Sequence, residues 1–175
     1  MSLLTRDPEL AITSREPPVP REILADIATG LALGFSADPA LVHRYIEDAT
    51  PVAGAGRLSS QVLATTTYDA WLLTWPPGSA IEPHDHGDSH GLFIVLSGSV
   101  SESRWHSGRA TTRTVGVGEM STIPAGAVHD VVGSGTRAAL SIHVYSPPLT
   151  SMRFYAADGQ TVIGVEPVDQ GLSNG

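Results

Sequence analysis

The amino-acid sequence predicts an all-β protein with short helices before the strands. Two observations carry this prediction. Glycine and proline number 18 and 13 among 175 residues, and from about residue 61 the apolar residues recur in short runs separated by Gly, Pro, Asp and Ser. Such runs, without helices between them, are typical of an antiparallel sandwich or small barrel. The length and a hydrophobic content of 41% predict a single domain with one buried core.

The region before the strands divides into an arm and two helices. Residues 1–20 end in a proline-rich stretch, which predicts a flexible arm. Residues 21–50 predict two helices that pack on the barrel, because apolar residues recur there at helical spacing. Gly30 and Gly34 indicate that the first helix weakens toward its end, and Ser36 or Asp38 is suited to cap the second helix, which ends before Pro51.

The remaining chain predicts about nine or ten strands. We expect a barrel over residues 56–166 and a tail over residues 167–175. The runs that predict strands cover residues 61–68, 70–75, 91–100, 101–107, 110–117, 120–125, 129–133, 137–146, 153–157 and 160–167.

Composition excludes several kinds of chemistry. All ten basic residues are arginine and the chain lacks cysteine, so Schiff-base lysines, disulfides and thiolate metal sites are impossible. A net charge of −8 argues against a nucleic-acid partner. With no long apolar run and no basic leader, we expect a cytoplasmic protein that does not enter membranes. Metal ligands, if present, must come from His, Asp and Glu.

His84 and His86 form the first candidate for a metal site. In an extended segment, residues two apart point to the same face, so both imidazoles would project together while Asp85 points away. A His-x-His pair alone is a weak indication, since surface pairs of this kind need no ion. Whether the pair binds a metal must therefore be judged from the surrounding sequence.

Two spaced patterns resemble the cupin superfamily. The first has Gly, five residues, His-x-His and a later Gly, and the second has Gly, five residues, Pro-x-Gly, two residues and His. The matching residues are Gly78, His84, His86, Gly98, Gly118, Pro124, Gly126 and His129. The resemblance implies a double-stranded β-helix, also called a jelly-roll barrel, in which His129 lies beside the His-x-His pair.

The first pattern departs from the cupin motif at Gly91, where the family generally has a glutamate ligand. Three neutral imidazoles remain, which suit Fe(II) with open positions for substrate and dioxygen. Zinc, nickel or copper are alternatives for three histidines. His90 is a possible replacement ligand only if no turn intervenes after His86.

A narrower resemblance is to the cysteine dioxygenase, or thiol dioxygenase, branch of the cupins. It rests on HDHGDSHGLF and SIHVYSPP, and it implies Fe(II) held by three histidines and a catalytic set of Ser141, His143 and Tyr145 on one strand face. A polar ladder between strands is the alternative for that set. In the animal enzymes of this family, the position of Gly91 holds a Cys that is thioether-linked to the tyrosine matched by Tyr145. Glycine there resembles the bacterial branch, which includes 3-mercaptopropionate dioxygenases, and it implies an unmodified Tyr145.

The resemblance implies oxidation of a small thiol by O2 to its sulfinate. Candidate substrate-binding residues are Arg57, Ser60 and Gln61, of which Arg57 is out of step with the arginine that binds carboxylate in the family and is equally compatible with a surface position. We therefore expect a thiol other than free cysteine, with a weakly charged or uncharged head. Another three-His cupin oxygenase and a non-catalytic metal- or ligand-binding cupin remain alternatives, and the oligomeric state stays open.

Overall fold

The computed structural model describes residues 16–42, 50–51 and 56–168. The first 15 residues of the predicted arm, residues 43–49 of the predicted second helix and the tail from residue 169 lie outside the described residues. At the end of the arm, the Val19 N–H donates to Ser146 Oγ over 2.8 Å.

The described residues form helix α1 followed by twelve strands. They are α1 (Arg21–Ala37), β1 (Thr50–Pro51), β2 (Leu58–Ala64), β3 (Asp69–Trp75), β4 (Ala80–Asp85), β5 (His90–Ser97), β6 (Ser99–His106), β7 (Arg109–Gly116), β8 (Met120–Ile123), β9 (His129–Gly133), β10 (Ala139–Ser146), β11 (Ser151–Tyr155) and β12 (Val162–Pro167). Residues 39–42 are helical as well.

The strands form two six-stranded sheets, which confirms the predicted all-β architecture. The first sheet has the order β1-β2-β3-β10-β5-β8 and the second has the order β12-β11-β4-β9-β6-β7. Apolar side chains from both sheets, including Trp75, Phe93, Val100 and Val131, pack together in one buried cluster. The core of the barrel therefore lies between the sheets, and side chains that point inward meet there.

Helix α1 covers the outer face of the first sheet. Its buried residues Leu24 and Phe35 pack with Leu72 and Ile142 in a second apolar cluster. The helix continues past Gly30 and Gly34 to Ala37, so it ends later than predicted. Burial of Phe35 against the sheet outweighs the low helix propensity of the two glycines.

The junction after α1 follows the predicted capping. Asp38 Oδ1 accepts hydrogen bonds from the backbone N–H groups of Ala40 and Leu41, at 3.0 and 3.3 Å. These bonds satisfy the first amide donors of the helical residues 39–42. Asp38, and not Ser36, is therefore the cap.

Several strand boundaries differ from the prediction, and two of the departures have a clear physical cause. The run over residues 91–100 is broken at Gly98, which has φ +71° and where an added Cβ would lie 2.8 Å from Ala139 Cα. Only glycine fits this hairpin, so β5 ends and β6 begins on either side of it. Strand β4 was not among the predicted runs, because Pro83 and a register irregularity between Ile81 and His84 interrupt its alternation.

Within the described residues, no helix combines the length and the apolar character that crossing a bilayer requires.

Candidate metal centre

Two adjacent strands bring the predicted metal ligands together. His84 on β4 pairs directly with His129 on β9, and His86 follows the end of β4. The Nε2 atom of His86 lies 3.2 Å from Nε2 of His84 and 3.4 Å from Nε2 of His129. All three side chains are at most 3% exposed, so three imidazoles converge inside the barrel.

The arrangement fits a divalent metal ion. Bonds of about 2.0–2.1 Å at tetrahedral angles separate imidazole nitrogens by about 3.3 Å, which agrees with the Nε2 separations of 3.2 and 3.4 Å. His84 Nδ1 lies 2.9 Å from the Glu82 carbonyl oxygen. Because Nδ1 donates its proton to that carbonyl, Nε2 of His84 keeps its lone pair for an ion.

Burial keeps the imidazoles of His84 and His86 neutral. It lowers the pKa of His84 well below its usual value, and the neighbouring His129 lowers it further. Burial and then the nearby His84 lower the pKa of His86 in the same way. Neutral imidazoles carry the lone pairs that bind metals, so His84 and His86 are prepared for an ion at neutral pH.

His90 does not belong to this group. Within the described residues, the ligand atoms that cluster are those of His84, His86 and His129. His90 Nδ1 instead accepts a hydrogen bond from the Ala125 N–H at 3.3 Å. The turn after His86 separates the two side chains, as the sequence allowed.

His129 has a charged partner that the sequence analysis missed. Glu102 on β6 is fully buried, and its Oε1 lies 3.2 Å from His129 Nδ1. Its other oxygen accepts a 2.6 Å hydrogen bond from Ser121. Glu102 shares the inward parity of Val100 on β6, and a carboxylate at an inward strand position was the signal that could have found it.

Ser141, His143 and Tyr145 form a continuous hydrogen-bonded chain along β10. Ser141 Oγ lies 2.8 Å from His143 Nε2, and His143 Nδ1 lies 3.2 Å from the Tyr145 hydroxyl. Trp75, for which sequence analysis gave no hydrogen-bonding role, donates its indole N–H to Ser141 Oγ over 2.8 Å. The contacts within the set run along one strand, and Trp75 adds a polar contact from the paired strand β3.

One of the two neutral tautomers of His143, the one with its proton on Nδ1, gives a continuous run of donors along this chain. Trp75 donates to Ser141, the Ser141 hydroxyl donates to His143 Nε2, and His143 Nδ1–H donates to the oxygen of Tyr145. The Tyr145 O–H is then left to donate to a group outside the chain. Burial lowers the pKa of His143 to about 3 and raises the pKa of Tyr145, so both stay neutral.

Gly91 allows the tyrosine ring to approach the histidines. It pairs with Tyr145 across β5 and β10, and an added Cβ would lie 2.9 Å from Tyr145 Cε1 and 3.1 Å from His86 Nδ1. Any larger side chain would displace one of these rings. The ring centroids of Tyr145 and His86 are 4.8 Å apart.

Arg57 lies inside the barrel, and the interpretation of it as a surface residue is wrong. Its side chain is 4% exposed, and its guanidinium stacks 4.7 Å from the centroid of Trp75. It also donates to the Ala80 carbonyl oxygen over 3.3 Å. Burial lowers its pKa, although the nearby Tyr145 and Glu82 act in the opposite direction, and a guanidinium remains charged in proteins.

Strand register separates the two neutral candidates for substrate binding. Gln61 pairs with Trp71, which pairs with His143, so Gln61 shares the inward face with the site. Ser60 pairs with Leu72 and shares the opposite face, against which α1 packs. The expectation that Ser60 lines the pocket is therefore wrong, because side chains alternate between the faces of a strand.

Comparison with known proteins gives the family. Residues 56–158 match the sequence profile of the family described as cysteine dioxygenase type I. The chain belongs to the cysteine dioxygenase type I family. It is 27% identical over 99 residues to a cysteine dioxygenase type 1 of Danio rerio, across 50% of this chain and 49% of that protein. The chain thus spans about half the length of this curated relative of the cysteine dioxygenase family.

Solved structures share the fold of this cysteine dioxygenase family member. A recombinant oxalate oxidase in complex with glycolate matches with a TM-score of 0.54 and 19% identity, over 63% of this chain and 61% of that chain. A conserved protein with a double-stranded β-helix domain from Klebsiella pneumoniae matches with a TM-score of 0.52 and 23% identity, over 61% and 81%. These likenesses confirm the predicted double-stranded β-helix.

Proposed function

We propose that this member of the cysteine dioxygenase type I family is an Fe(II)-dependent thiol dioxygenase. It would convert a small thiol and O2 into the corresponding sulfinate, R–SH + O2 giving R–SO2H, so that both oxygen atoms end on sulfur. The observation that supports this most strongly is the buried three-His group next to Ser141, His143 and Tyr145. Family membership supports the same reaction class.

Each part of the site has a distinct task in this proposal. His84, His86 and His129 would hold Fe(II), whose chemistry when bound is the activation of dioxygen toward a thiol. With the His143 proton on Nδ1, Tyr145 would donate its O–H into the site, and Ser141 and His143 would hold the tyrosine in that orientation. Burial of the whole group excludes water from the reacting centre.

Arg57 supports a substrate with an anionic head. It is a buried cation whose Nε has no hydrogen-bond partner among the described residues. A carboxylate would accept hydrogen bonds from this guanidinium and offset its buried charge. The expectation of a substrate with a weakly charged or uncharged head depended on the lack of a cation near the site, and the buried Arg57 beside Trp75 argues against that premise. We propose a small mercapto-carboxylate instead, with Gln61 on the same face.

The reaction is tested by oxygen uptake with the Fe(II)-loaded protein and a panel of thiols. We expect thiol-dependent O2 consumption and, from ¹⁸O2, a sulfinate that carries two labelled oxygens. His129→Ala should lose both bound iron and turnover, because two imidazoles hold an ion weakly. Iron binding without oxidation of any thiol would contradict the proposal and favour the other three-His oxygenases or a binding role.

The substrate class is tested by specificity constants for 3-mercaptopropionate, cysteine and cysteamine. We expect the two carboxylates to be preferred, and we expect Arg57→Met to raise their KM while leaving that of cysteamine nearly unchanged. A wild-type preference for cysteamine would show that Arg57 does not recognise an anion. Gln160→Met, in the exposed loop before β12, serves as the control for loss of a polar side chain.

A further inference from the structure

Glu102 is a buried charged group that the proposed reaction does not use. It lies on β6 with no exposed surface. An ionised carboxylate at such a position is costly unless several donors surround it. Here four side chains do so: His129, Ser121, Arg104 and Arg113.

The contacts of Glu102 link the metal group to the barrel surface. On the inner side, Oε1 lies 3.2 Å from His129 Nδ1. On the outer side, Arg104 lies 3.1 Å from Oε1 and Arg113 lies 3.2 Å from Oε2. These arginines are 39% and 45% exposed, so their charges remain partly in water while Glu102 and His129 are buried.

The hydrogen bond determines which nitrogen of His129 can bind an ion. A carboxylate accepts hydrogen bonds and does not donate them, so the proton of a neutral His129 must be on Nδ1. The lone pair is then on Nε2, which faces the other two histidines at 3.4 Å from His86 Nε2. Without Glu102, nothing in this contact favours one tautomer over the other.

The three histidines differ in what holds their second nitrogen. His84 Nδ1 donates to a neutral backbone carbonyl, and among the described residues His86 Nδ1 has no partner. His129 alone of the three contacts a carboxylate. An anionic acceptor polarises the ring more strongly than a carbonyl does, which makes Nε2 a better donor to a metal.

We propose that Glu102 is the positioning residue of the metal centre: it holds His129 as the Nδ1–H tautomer and strengthens its Nε2 as a ligand, while Arg104 and Arg113 offset the buried charge. The inference rests on the metal-holding part of the proposed function and not on the thiol reaction. It extends the centre from three ligands to a connected unit that reaches the surface.

The tautomer is tested without metal by ¹⁵N NMR of histidine-labelled protein. We expect His129 to show a protonated Nδ1 and an unprotonated Nε2 in the wild type, and a mixture of tautomers in Glu102→Leu. A wild-type His129 with its proton on Nε2 would overturn the proposal. This measurement does not depend on any activity.

Metal affinity is tested by titration with Co(II) alone in competition with a chelator. We expect Glu102→Gln, which keeps an acceptor but removes the charge, to weaken Co(II) binding by about 10–100-fold. Arg113→Met should weaken it less, because Arg104 still compensates Glu102. Unchanged affinity in Glu102→Gln would overturn the proposed effect on ligand strength.

The control is Asp69→Asn. Asp69 is also a fully buried carboxylate, but its Oδ2 accepts hydrogen bonds from Trp71 Nε1 and the Leu149 N–H. Asp69→Asn should lower the free energy of unfolding without changing Co(II) affinity. An equal loss of Co(II) affinity in Asp69→Asn and Glu102→Gln would show that removing any buried charge weakens metal binding, and it would contradict the role of Glu102. If thiol oxidation is absent but Glu102→Gln weakens Co(II) binding, the proposed function fails and this inference stands.

Discussion

Gly91 is the single position where one added carbon should alter the candidate site most directly. In Gly91→Ala, the new Cβ would lie 2.9 Å from Tyr145 Cε1, a distance at which one group must shift. We expect a loss of about 1–3 kcal/mol in the free energy of unfolding and lower turnover, as Tyr145 or His86 moves. Urea unfolding and steady-state assays measure both.

Gly164→Ala is the matched control, because nothing lies within 4 Å of a Cβ added at this position of β12. It should leave stability and turnover nearly unchanged. Equal stability and turnover in the two variants would show that the Tyr145 ring moves without cost, and that turnover does not depend on the close approach at Gly91.

The Tyr145 hydroxyl should matter for turnover more than for folding. Tyr145→Phe keeps the ring that packs against His86 and removes only the O–H at the end of the hydrogen-bonded chain. Because a hydrogen bond to a charged group contributes about 1.5–3 kcal/mol, we expect kcat to fall by about 10–100-fold. Bound iron and the melting temperature should stay close to wild type. Full turnover at saturating thiol would contradict this role.

The residues that sequence analysis could predict are those whose spacing along the chain defines their geometry. Residues two apart on one strand share a face of the sheet. For this reason the side chains of Ser141, His143 and Tyr145 form a hydrogen-bonded chain along β10. Arg57 and Glu102 were harder, because their places depend on neighbours distant in sequence. Arg57 precedes β2 and reaches the site by stacking on Trp75, which no local pattern predicts.

Helix α1 offers a test of how packing compensates for poor helix formers. Gly34 lies inside the helix, and a Cβ added there meets nothing within 4 Å. Gly34→Ala should therefore raise the free energy of unfolding by about 0.5–1 kcal/mol, since alanine loses less backbone entropy on folding. Chemical denaturation measures the gain, and a loss of stability would contradict this expectation.

Strand boundaries are the features of the fold that sequence patterns predict least well. Turn residues predicted most of the strands of the two sheets, because glycine and proline interrupt them directly. Strand β4 was missed, since Pro83 and a register irregularity hide its alternation although it carries His84. Gly98 was read as part of a strand, and its requirement for φ +71° becomes evident only when Ala139 of β10 is packed against it.

The whole molecule should lose stability in mild acid when no metal is bound. Burial lowers the pKa of His143 to about 3, with further lowering by His129 and Arg57, whereas the same side chain in the unfolded chain titrates near 6.5. Between these values the unfolded state binds a proton that the folded state does not, so stability decreases as pH falls from about 6.5 toward 3. The buried His84 and His86 act in the same direction.

His143→Gln isolates one part of this dependence. Between pH 6 and pH 5 the variant should lose about 1 kcal/mol less stability than the wild type, because glutamine has no imidazole that takes up a proton when the chain unfolds. Urea unfolding at the two pH values measures the difference. His106→Gln, at an exposed position of β6, is the control, and an equal pH dependence in both variants would show that burial of His143 does not govern the effect.

The closure of the barrel around its histidines has a consequence for the residence time of an ion. His84, His86 and His129 are at most 3% exposed, and Tyr145 and Arg57 are 6% and 4% exposed. A chelator in solution cannot reach an ion held among these side chains until the barrel opens transiently. The rate of metal removal should therefore stop increasing at high chelator concentration, where it would equal the rate of opening and report the internal motion of the protein instead of its affinity for the metal.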